Sequence, residues 1–176
     1  MVKIIITTGL SAAGKSTISR MIANRLSLPV VHATEMMRKY AKSKGYDGLV
    51  HFFMELGYQK GYETVRPMIL NKVKNYARKR GAVFDGIHDY VLYKKICDEY
   101  GRKNIKVVAI GAALKYRVDR HADRRKLTKE KAEEGVDGRD KIAIAGGTLK
   151  IVNDCDFKIK NEGSLEECVQ EIIKHV

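Results

Sequence analysis

The chain has 176 residues, 44% hydrophobic and 31% charged, which is typical of a soluble globular protein with a single domain. No apolar run approaches the roughly 18 residues of a membrane span, and "MVKIIITT" lacks a cleavage site, so we expect a cytoplasmic protein with no membrane partner. Lysine and arginine number 34 against 21 acids, and the resulting charge of +13 favours anionic partners such as nucleic acid, polyphosphate nucleotides or phosphorylated metabolites. A lysine-rich surface that contacts only solvent is the alternative interpretation.

The cysteines argue against a zinc site or a disulfide framework. Cys97, Cys155 and Cys168 are odd in number and widely spaced, and no C-x-x-C pattern is present. They are expected to be isolated thiols in or near the core.

Short β-type runs alternate with longer helical patterns along the chain. Buried strands are predicted at 2–8, 29–33, 82–85, 105–110 and 157–161. Helical spacing begins at Lys15, covers much of 34–79, recurs over 90–100 and closes the chain after Ser164, where Glu167 completes a capping-box pattern. This alternation predicts an α/β protein with three layers, α/β/α, and a five-stranded parallel sheet in one domain over 1–176. Ligands of such sheets bind beyond the carboxyl ends of the strands.

The first strand is followed by a phosphate-binding loop, "GLSAAGKST". Gly9, Gly14, Lys15 and Ser16 fit G-x-x-x-x-G-K-[ST] between a strand and a helix, which is the context this motif requires. The backbone N–H groups of 12–17 and the helix N-terminus would face the phosphate oxygens. Lys15 would reach the β- and γ-phosphates, and the Ser16 hydroxyl would ligate Mg²⁺. The predicted nucleotide-binding residues of the loop are Gly9, Ala12, Ala13, Gly14, Lys15, Ser16 and Thr17.

A carboxylate is expected on the other side of the metal. Asp85 ends the strand "AVFD", at the sheet edge where the loop lies. We expect it to hold the Mg²⁺ water shell; an ordinary turn residue before Gly86 is the alternative.

Three further segments follow the second, third and fourth strands: "HATEMMRKYAKSKGYDG", "FDGIHDY" and "KYRVDRHADRRK". With the phosphate loop, and in this order, they make the sequence resemble the P-loop nucleoside and nucleotide kinases, such as adenylate, cytidylate and dephospho-CoA kinases. The chain is also similar to archaeal nucleotide-kinase-like proteins with a "DGIR"-type third motif. The resemblance covers nearly the whole chain. It implies a P-loop NTPase fold, ATP with Mg²⁺, an acceptor-binding helical segment at about 34–79 and a short lid at about 126–138.

The second and third motifs imply acceptor contacts. Thr34 and Arg38 in "TEMMR" match the family pattern, and Arg38 would bind an acceptor phosphate. Glu35 replaces the usual aspartate and would reach Mg²⁺ through a water. In "DGIHD", Gly86 matches, whereas His88 stands where related branches have an arginine. His88 would make a weaker, pH-dependent phosphate contact, bind a different group, or help to deprotonate an acceptor hydroxyl.

The fourth motif, "DRHADRR", matches the arginine helix of the family. Arg120 and Arg124 are four residues apart and share one helix face. The resemblance places Arg120 under the donor base and Arg124 at the transferred phosphoryl group, with Arg125 as a weaker candidate. Arg139, at the far end of the lid, would point at the phosphates. Lys15 and these three arginines, Arg120, Arg124 and Arg139, are the predicted catalytic residues.

The sequence therefore predicts a phosphotransferase that uses ATP, or another nucleoside triphosphate, and a small-molecule phosphoryl acceptor. Tyr58, Tyr62 and Arg66 are further candidate acceptor contacts. The acceptor group can be a phosphate, or a hydroxyl that Glu35 or Asp85 helps to deprotonate. The alternatives are a kinase of nucleic-acid 5′-hydroxyls and an RNA- or ribosome-associated NTPase switch. No feature of the sequence indicates an oligomeric state.

Overall fold

The computed structural model describes residues 3–77 and 81–176, and its centre is one parallel sheet of five strands. The order across the sheet is β2-β3-β1-β4-β5, so β1 pairs with both β3 and β4. The strands are β1 (Lys3–Thr8), β2 (Val30–His32), β3 (Gly81–Asp85), β4 (Ile105–Gly111) and β5 (Phe157–Lys160).

Helices connect the strands and cover both faces of the sheet. They are α1 (Lys15–Leu26), α2 (Ala33–Ser43), α3 (Leu49–Leu56), α4 (Tyr58–Ala77), α5 (Tyr90–Tyr100), α6 (Leu114–Arg125), α7 (Lys129–Gly146), α8 (Thr148–Asn153) and α9 (Leu165–His175), with a short 3₁₀ turn at Arg102–Asn104. The predicted three-layer α/β/α architecture is confirmed. Within the described ranges, no helix is both long and apolar enough to cross a membrane.

The side chains of β1 alternate between two cores, as the period of a strand requires. Ile4 and Ile6 face a large core formed by α2–α5, α7 and α8, whereas Ile5 faces a smaller core with α1 and α9. All three are at most 1% exposed, and burying each contributes about 1.5–3 kcal/mol. The central strand is therefore fixed from both sides, and the loop that follows it starts from a rigid base.

The predicted strands are present with small shifts of their bounds. The strand predicted at 29–33 is shorter, because Ala33 already begins α2, and Val2 of the first predicted strand lies outside the described residues. The helical stretch predicted over 34–79 is three helices, since the chain turns at 44–48 and at Gly57; residues 78 and 79 lie outside the described residues. Ser164 caps α9 as predicted by accepting a hydrogen bond from Glu167 N.

Candidate functional site

The phosphate loop is held by contacts that leave no room for side chains at its glycines. Gly9 has φ +129°, and a Cβ there would lie 2.1 Å from the carbonyl oxygen of Ile110 in β4. Gly14 has φ +92°, and a Cβ there would lie 2.1 Å from Asn161 Nδ2. Asn161, only 1% exposed, uses the same Nδ2 to donate to the Ala13 carbonyl at 2.8 Å. The backbone path of the loop is thus set by tertiary packing as well as by its own glycines.

Lys15 lies inside the loop rather than in solvent. Its Nζ donates to the Leu10 carbonyl at 2.6 Å, and the residue is 9% exposed. Burial lowers its pKa to about 8, although Asp85 and Asp140 favour the charged form. Among the residues that the structure describes, no carboxylate pairs directly with this ammonium group, which is well placed to meet phosphate oxygens.

Ser16, Asp85 and His32 form a polar cluster at the carboxyl ends of β2 and β3. The Ser16 hydroxyl donates to Asp85 Oδ2 at 2.6 Å, and His32 Nδ1 lies 2.8 Å from the same oxygen. Burial opposes ionisation of Asp85, but the hydrogen bonds from His32 and Ser16 and the charge of Lys15 outweigh it and lower its pKa. The hydrogen bond to Asp85 raises the pKa of His32.

This cluster fits a magnesium ion that arrives with a nucleotide. Mg²⁺ prefers oxygen ligands, retains several waters, and is usually held through one or two protein oxygens plus substrate phosphates. Ser16 and Asp85 supply two such oxygens, and no group of three or more metal-ligating side chains occurs among the residues described. Glu35, the other predicted metal-side residue, is exposed and pairs with Lys39 at 2.9 Å. Its role through a water remains a prediction.

Arg124 and Arg139 meet at the ring of His121. Arg139 Nη1 lies 2.9 Å from His121 Nε2, and Arg124 Nη2 lies 3.3 Å from His121 Nδ1. His121 is 1% exposed, and burial and the charges of Arg139 and Arg124 lower its pKa to about 4, so the ring is neutral at pH 7. Helices α6 and α7 thus bring two of the predicted catalytic arginines to one point.

The arginines of the cleft repel one another. Within the described part of the chain, Arg38, Arg124, Arg125 and Arg139 form no ion pair with an acid. Burial, and then the charges of neighbouring arginines, lower the pKa values of Arg124 and Arg139. A bound polyanion would relieve this repulsion.

These groups line one cleft of about 1280 Å³. It runs from the phosphate loop to α2 and α3 and is closed on one side by α7. Its polar lining includes Lys15, Ser16, Arg20, His32, Thr34, Glu35, Arg38, Lys42, Asp47, His51, Asp85, His88, His121, Arg124, Arg125 and Arg139. All the predicted metal and catalytic side chains except Arg120 therefore share one space.

Arg120 lines a second recess, of about 440 Å³, on the other side of the loop. Its Nη2 donates to the Asn161 carbonyl at 2.8 Å. The lining comprises Ala12, Gly14, Thr17, Arg120, Arg124, Asn161, Gly163 and Leu165. Arg124 lines both spaces, so the recess adjoins the phosphate cleft. Binding of the donor base in this recess remains a prediction.

His88 has a neutral partner in the fold. Its Nδ1 lies 2.8 Å from the hydroxyl of Thr148, which is fully buried at the start of α8. Burial, followed by the charge of Lys15, lowers the pKa of His88 to about 3. The ring therefore lies in the cleft as a neutral group before any ligand binds, unlike the arginine of related kinases.

Two of the candidate acceptor contacts, Tyr62 and Arg66, form hydrogen bonds within the protein. The Tyr62 hydroxyl donates to the Ile142 carbonyl at 3.0 Å, and Arg66 binds both carboxylate oxygens of Asp89, at 2.6 and 3.2 Å. Arg66 is absent from the lining of the cleft, whereas Tyr62 lines it with its hydroxyl already bonded to α7. Acceptor contacts by these two residues therefore stay predictions. Tyr58 is 37% exposed and is absent from the lining of the cleft.

The segment predicted as a lid is mostly helical. After a linker, α7 begins at Lys129, and its Ala132 and Val136 are fully buried against Val118 of α6 and Ala12 of the phosphate loop. Opening of this segment stays a prediction. In the structure, it is packed onto the loop.

Sequence reasoning missed several residues of the site. His32 and His121 contact predicted residues directly, and Arg117, Asp140 and Asn161 brace the loop. His121 falls inside the "DRHADRR" motif and could have been found there. The others carry no local pattern, because their contacts cross 23 to 148 positions of sequence.

Comparison with known proteins gives the family of the chain. Residues 8–136 match the family described as "AAA domain". A UPF0200/UPF0201 protein of Archaeoglobus fulgidus is 26% identical over 175 residues, covering 97% of this chain and 54% of the relative. A UPF0200 protein of Methanoregula boonei is 26% identical over 163 residues, covering 90% and 87%. The chain thus spans about half the length of the first relative and most of the second.

Solved structures share the fold. A shikimate kinase from Bacteroides thetaiotaomicron superposes with a TM-score of 0.63 at 18% identity, covering 99% of this chain and 97% of that chain. A gluconokinase from Sinorhizobium meliloti superposes with a TM-score of 0.62 at 12% identity, covering 98% and 90%. The predicted resemblance to P-loop kinases is confirmed, and the structural likeness extends to the fold alone. Because the family match covers most of its length, the chain belongs to the AAA domain family, with the fold of the P-loop kinases.

Proposed function

We propose that this protein transfers the γ-phosphoryl group of Mg-ATP to a nucleotide or nucleotide-like small-molecule acceptor. The observation that carries the proposal is the convergence of Arg38, Arg124, Arg125 and Arg139, which pair with no acid among the described residues, on the cleft that also contains Lys15 and the Ser16–Asp85 pair. A site that only bound a phosphate would not need cationic groups from three helices, α2, α6 and α7, beyond the loop. A transferring phosphoryl group does, because its charge must be neutralised from several directions.

On the donor side, the loop N–H groups of 12–17 and the α1 N-terminus would bind the β- and γ-phosphates. Lys15 would leave the Leu10 carbonyl and contact the γ-phosphate. Arg124 and Arg139, already brought together at His121, would contact the transferring group. When bound, Mg²⁺ would neutralise phosphate charge next to Ser16 and Asp85. Catalysis in this scheme is positioning and electrostatic stabilisation.

On the acceptor side, Arg38 of α2 is the cation available to an anionic acceptor. It lines the cleft and has no ion-pair partner among the described residues. Burial and the charge of Lys15 lower the pKa of His88 and keep its ring neutral, so it would present a hydrogen bond rather than a charge. A phosphate of the acceptor would therefore be met by Arg38, and His88 with Thr34 would contact an uncharged part of the same molecule.

A kinase of nucleic-acid 5′-hydroxyls is the second candidate, favoured by the basic rim of the cleft. Arg20, Lys42 and Arg125 line the cleft in addition to Arg38 and the catalytic arginines. Transfer to an oligonucleotide would lose affinity steeply with salt, whereas transfer to a mononucleotide would depend on salt more weakly.

An acceptor panel tests the proposal. The protein is incubated with Mg-ATP labelled on the γ-phosphate and, separately, with AMP, CMP, UMP, GMP, dephospho-CoA, shikimate, gluconate and a 5′-hydroxyl oligonucleotide. We expect labelled product from one small-molecule acceptor. Transfer only to the oligonucleotide favours the second candidate, and RNA-stimulated hydrolysis without transfer to any acceptor would contradict both and favour an NTPase switch.

The panel needs a pair of matched variants. Lys15→Ala removes the loop cation, whereas Lys95→Ala removes an exposed lysine of α5 that lies outside the cleft. Lys15→Ala should lower the kcat of transfer about 100- to 1,000-fold, and Lys95→Ala should leave it unchanged. Equal activities of the two variants would contradict the assigned role of the loop.

A further inference from the structure

The backbone N–H and the backbone carbonyl of Ser11 in the phosphate loop are both held by one buried ion pair. Asp140 Oδ1 accepts from Ser11 N at 2.8 Å, and Arg117 Nη1 donates to the Ser11 carbonyl at 3.1 Å. The same Arg117 Nη1 donates to Asp140 Oδ2 at 2.6 Å. Arg117 and Asp140 are 7% and 9% exposed. A closed triangle therefore joins the loop, α6 and α7.

A contribution to stability alone does not explain why this ion pair is buried. Burying two charges costs free energy that their attraction only partly offsets, and well-packed apolar residues often do as well. In addition, Arg117 Nε is buried without a hydrogen-bond partner among the described residues. This ion pair contacts the backbone of the phosphate loop although one of its buried donors is unsatisfied. Such a costly arrangement indicates a functional reason for keeping it.

The positions of the pair along the helices connect it to the catalytic arginines. Asp140 directly follows Arg139 in α7, and Arg117 lies one and two helical turns before Arg120 and Arg124 in α6. Any shift of Arg117 or Asp140 relative to Ser11 would move these arginines relative to the phosphates. Neither member of the pair lines the cleft, so neither is placed to contact substrate.

We propose that Arg117 and Asp140 are positioning residues that fix the phosphate loop at Ser11 and hold the arginines of α6 and α7 in register with it. The pair also occupies the Ser11 N–H, which leaves the N–H groups of 12–17 to bind phosphate. The activity readout of this inference rests on the proposed function, whereas its structural readout does not.

The test compares the full chain with Asp140→Asn and with the double variant Arg117→Met/Asp140→Leu. Asp140→Asn leaves a buried guanidinium unpaired, so its thermal midpoint should fall. The double variant removes both charges, so it should recover most of the decrease in thermal midpoint that Asp140→Asn causes. In both, the Ser11 amide should exchange with solvent about tenfold faster by NMR. In both, the turnover of Mg-ATP should stay roughly 100-fold low, because a displacement of about 1 Å has that effect.

Asp156→Asn is the matched control. Asp156 also accepts from a backbone N–H, that of Val107 at 2.6 Å, and from an arginine, Arg102 at 3.2 Å, but it lies at the other end of the sheet. Its loss should lower the midpoint and leave turnover unchanged. Turnover restored in the double variant, or unchanged in Asp140→Asn, would overturn the inference.

The proposed function and the inference about Arg117 and Asp140 can be refuted independently. A wild-type protein that neither binds nor turns over Mg-ATP would refute the proposed function and leave the NMR measurement to decide the inference. In that case, faster exchange at Ser11 with shifted amide signals over 12–17 would support it, and unchanged signals in Asp140→Asn would overturn it.

Discussion

The two halves of the cleft are built differently. On the donor side, the loop backbone is fixed by contacts from β4, from Asn161 after β5, and from Asp140 of α7, and almost all of these groups are buried. On the acceptor side, α2 and α3 present exposed or half-exposed side chains, such as Arg38 and Met54, and no described residue braces these two in the same way. Met54 is 74% exposed. Under the proposed function, one half is prearranged for phosphate, and the other is free to vary with the acceptor.

This difference predicts that substitutions on the donor side lower phosphoryl transfer to every acceptor. Among them, Lys15→Ala should have the largest effect. It removes a cation that lies inside the loop, so the kcat of transfer should fall by about 100- to 1,000-fold. Steady-state kinetics with each active acceptor would check this. A decrease with one acceptor and not with another would mean that Lys15 does not serve the donor.

Gly14→Ala should have the second-largest effect, a loss of Mg-ATP affinity, because its new Cβ would collide with Asn161. Gly45→Ala is the matched control: Gly45 has φ +87°, close to +92° at Gly14, but nothing lies within 4 Å of its Cβ position. Both variants bear the backbone strain of about 1–2 kcal/mol for alanine in the left-handed region. Calorimetry should show weaker Mg-ATP binding only for Gly14→Ala, and equal Kd values would contradict the role assigned to Asn161.

The donor side is also the part that sequence reasoning predicted best. Strand β1 and the loop follow from a motif that spans a few residues, and Asp85 follows from its place at the end of a buried strand, so each is specified locally. Helices α7 and α8 were not predicted, because 129–146 is rich in charge and glycine and its few buried residues follow no clear stripe. Contacts such as Asp140 with Ser11 or Asn161 with Ala13 appear only when distant segments pack together, and no local pattern encodes them.

On the acceptor side, Arg38→Ala should raise the KM for an anionic acceptor and leave the Kd of Mg-ATP unchanged. Loss of a hydrogen bond between charged groups corresponds to about a 10- to 100-fold effect. Lys44→Ala is the control, because Lys44 lies just after the same helix and outside the cleft lining. If Arg38→Ala weakened ATP binding instead, Arg38 would belong to the donor half.

The smallest effect concerns His121, where the arginines of the two helices meet. Its pKa is lowered from 6.5 to about 4, so between these values the unfolded chain takes up a proton that the folded chain does not. Wild-type stability should therefore decrease as the pH falls through this window. His121→Asn removes that contribution, so its thermal midpoint should drop less between pH 7 and pH 5. His88, whose pKa is also lowered, acts with the same sign in both proteins and cancels in the comparison. Equal drops would show that His121 is not held neutral.

The central claim is that one cleft binds a donor and an acceptor for direct phosphoryl transfer. The most direct measurement is ³¹P NMR of the wild-type protein with Mg-ATP and a pool of the small-molecule acceptors. We predict that a new phosphorylated acceptor resonance rises together with ADP while inorganic phosphate stays low. The appearance of inorganic phosphate alone, at the rate at which ADP forms, would contradict the claim.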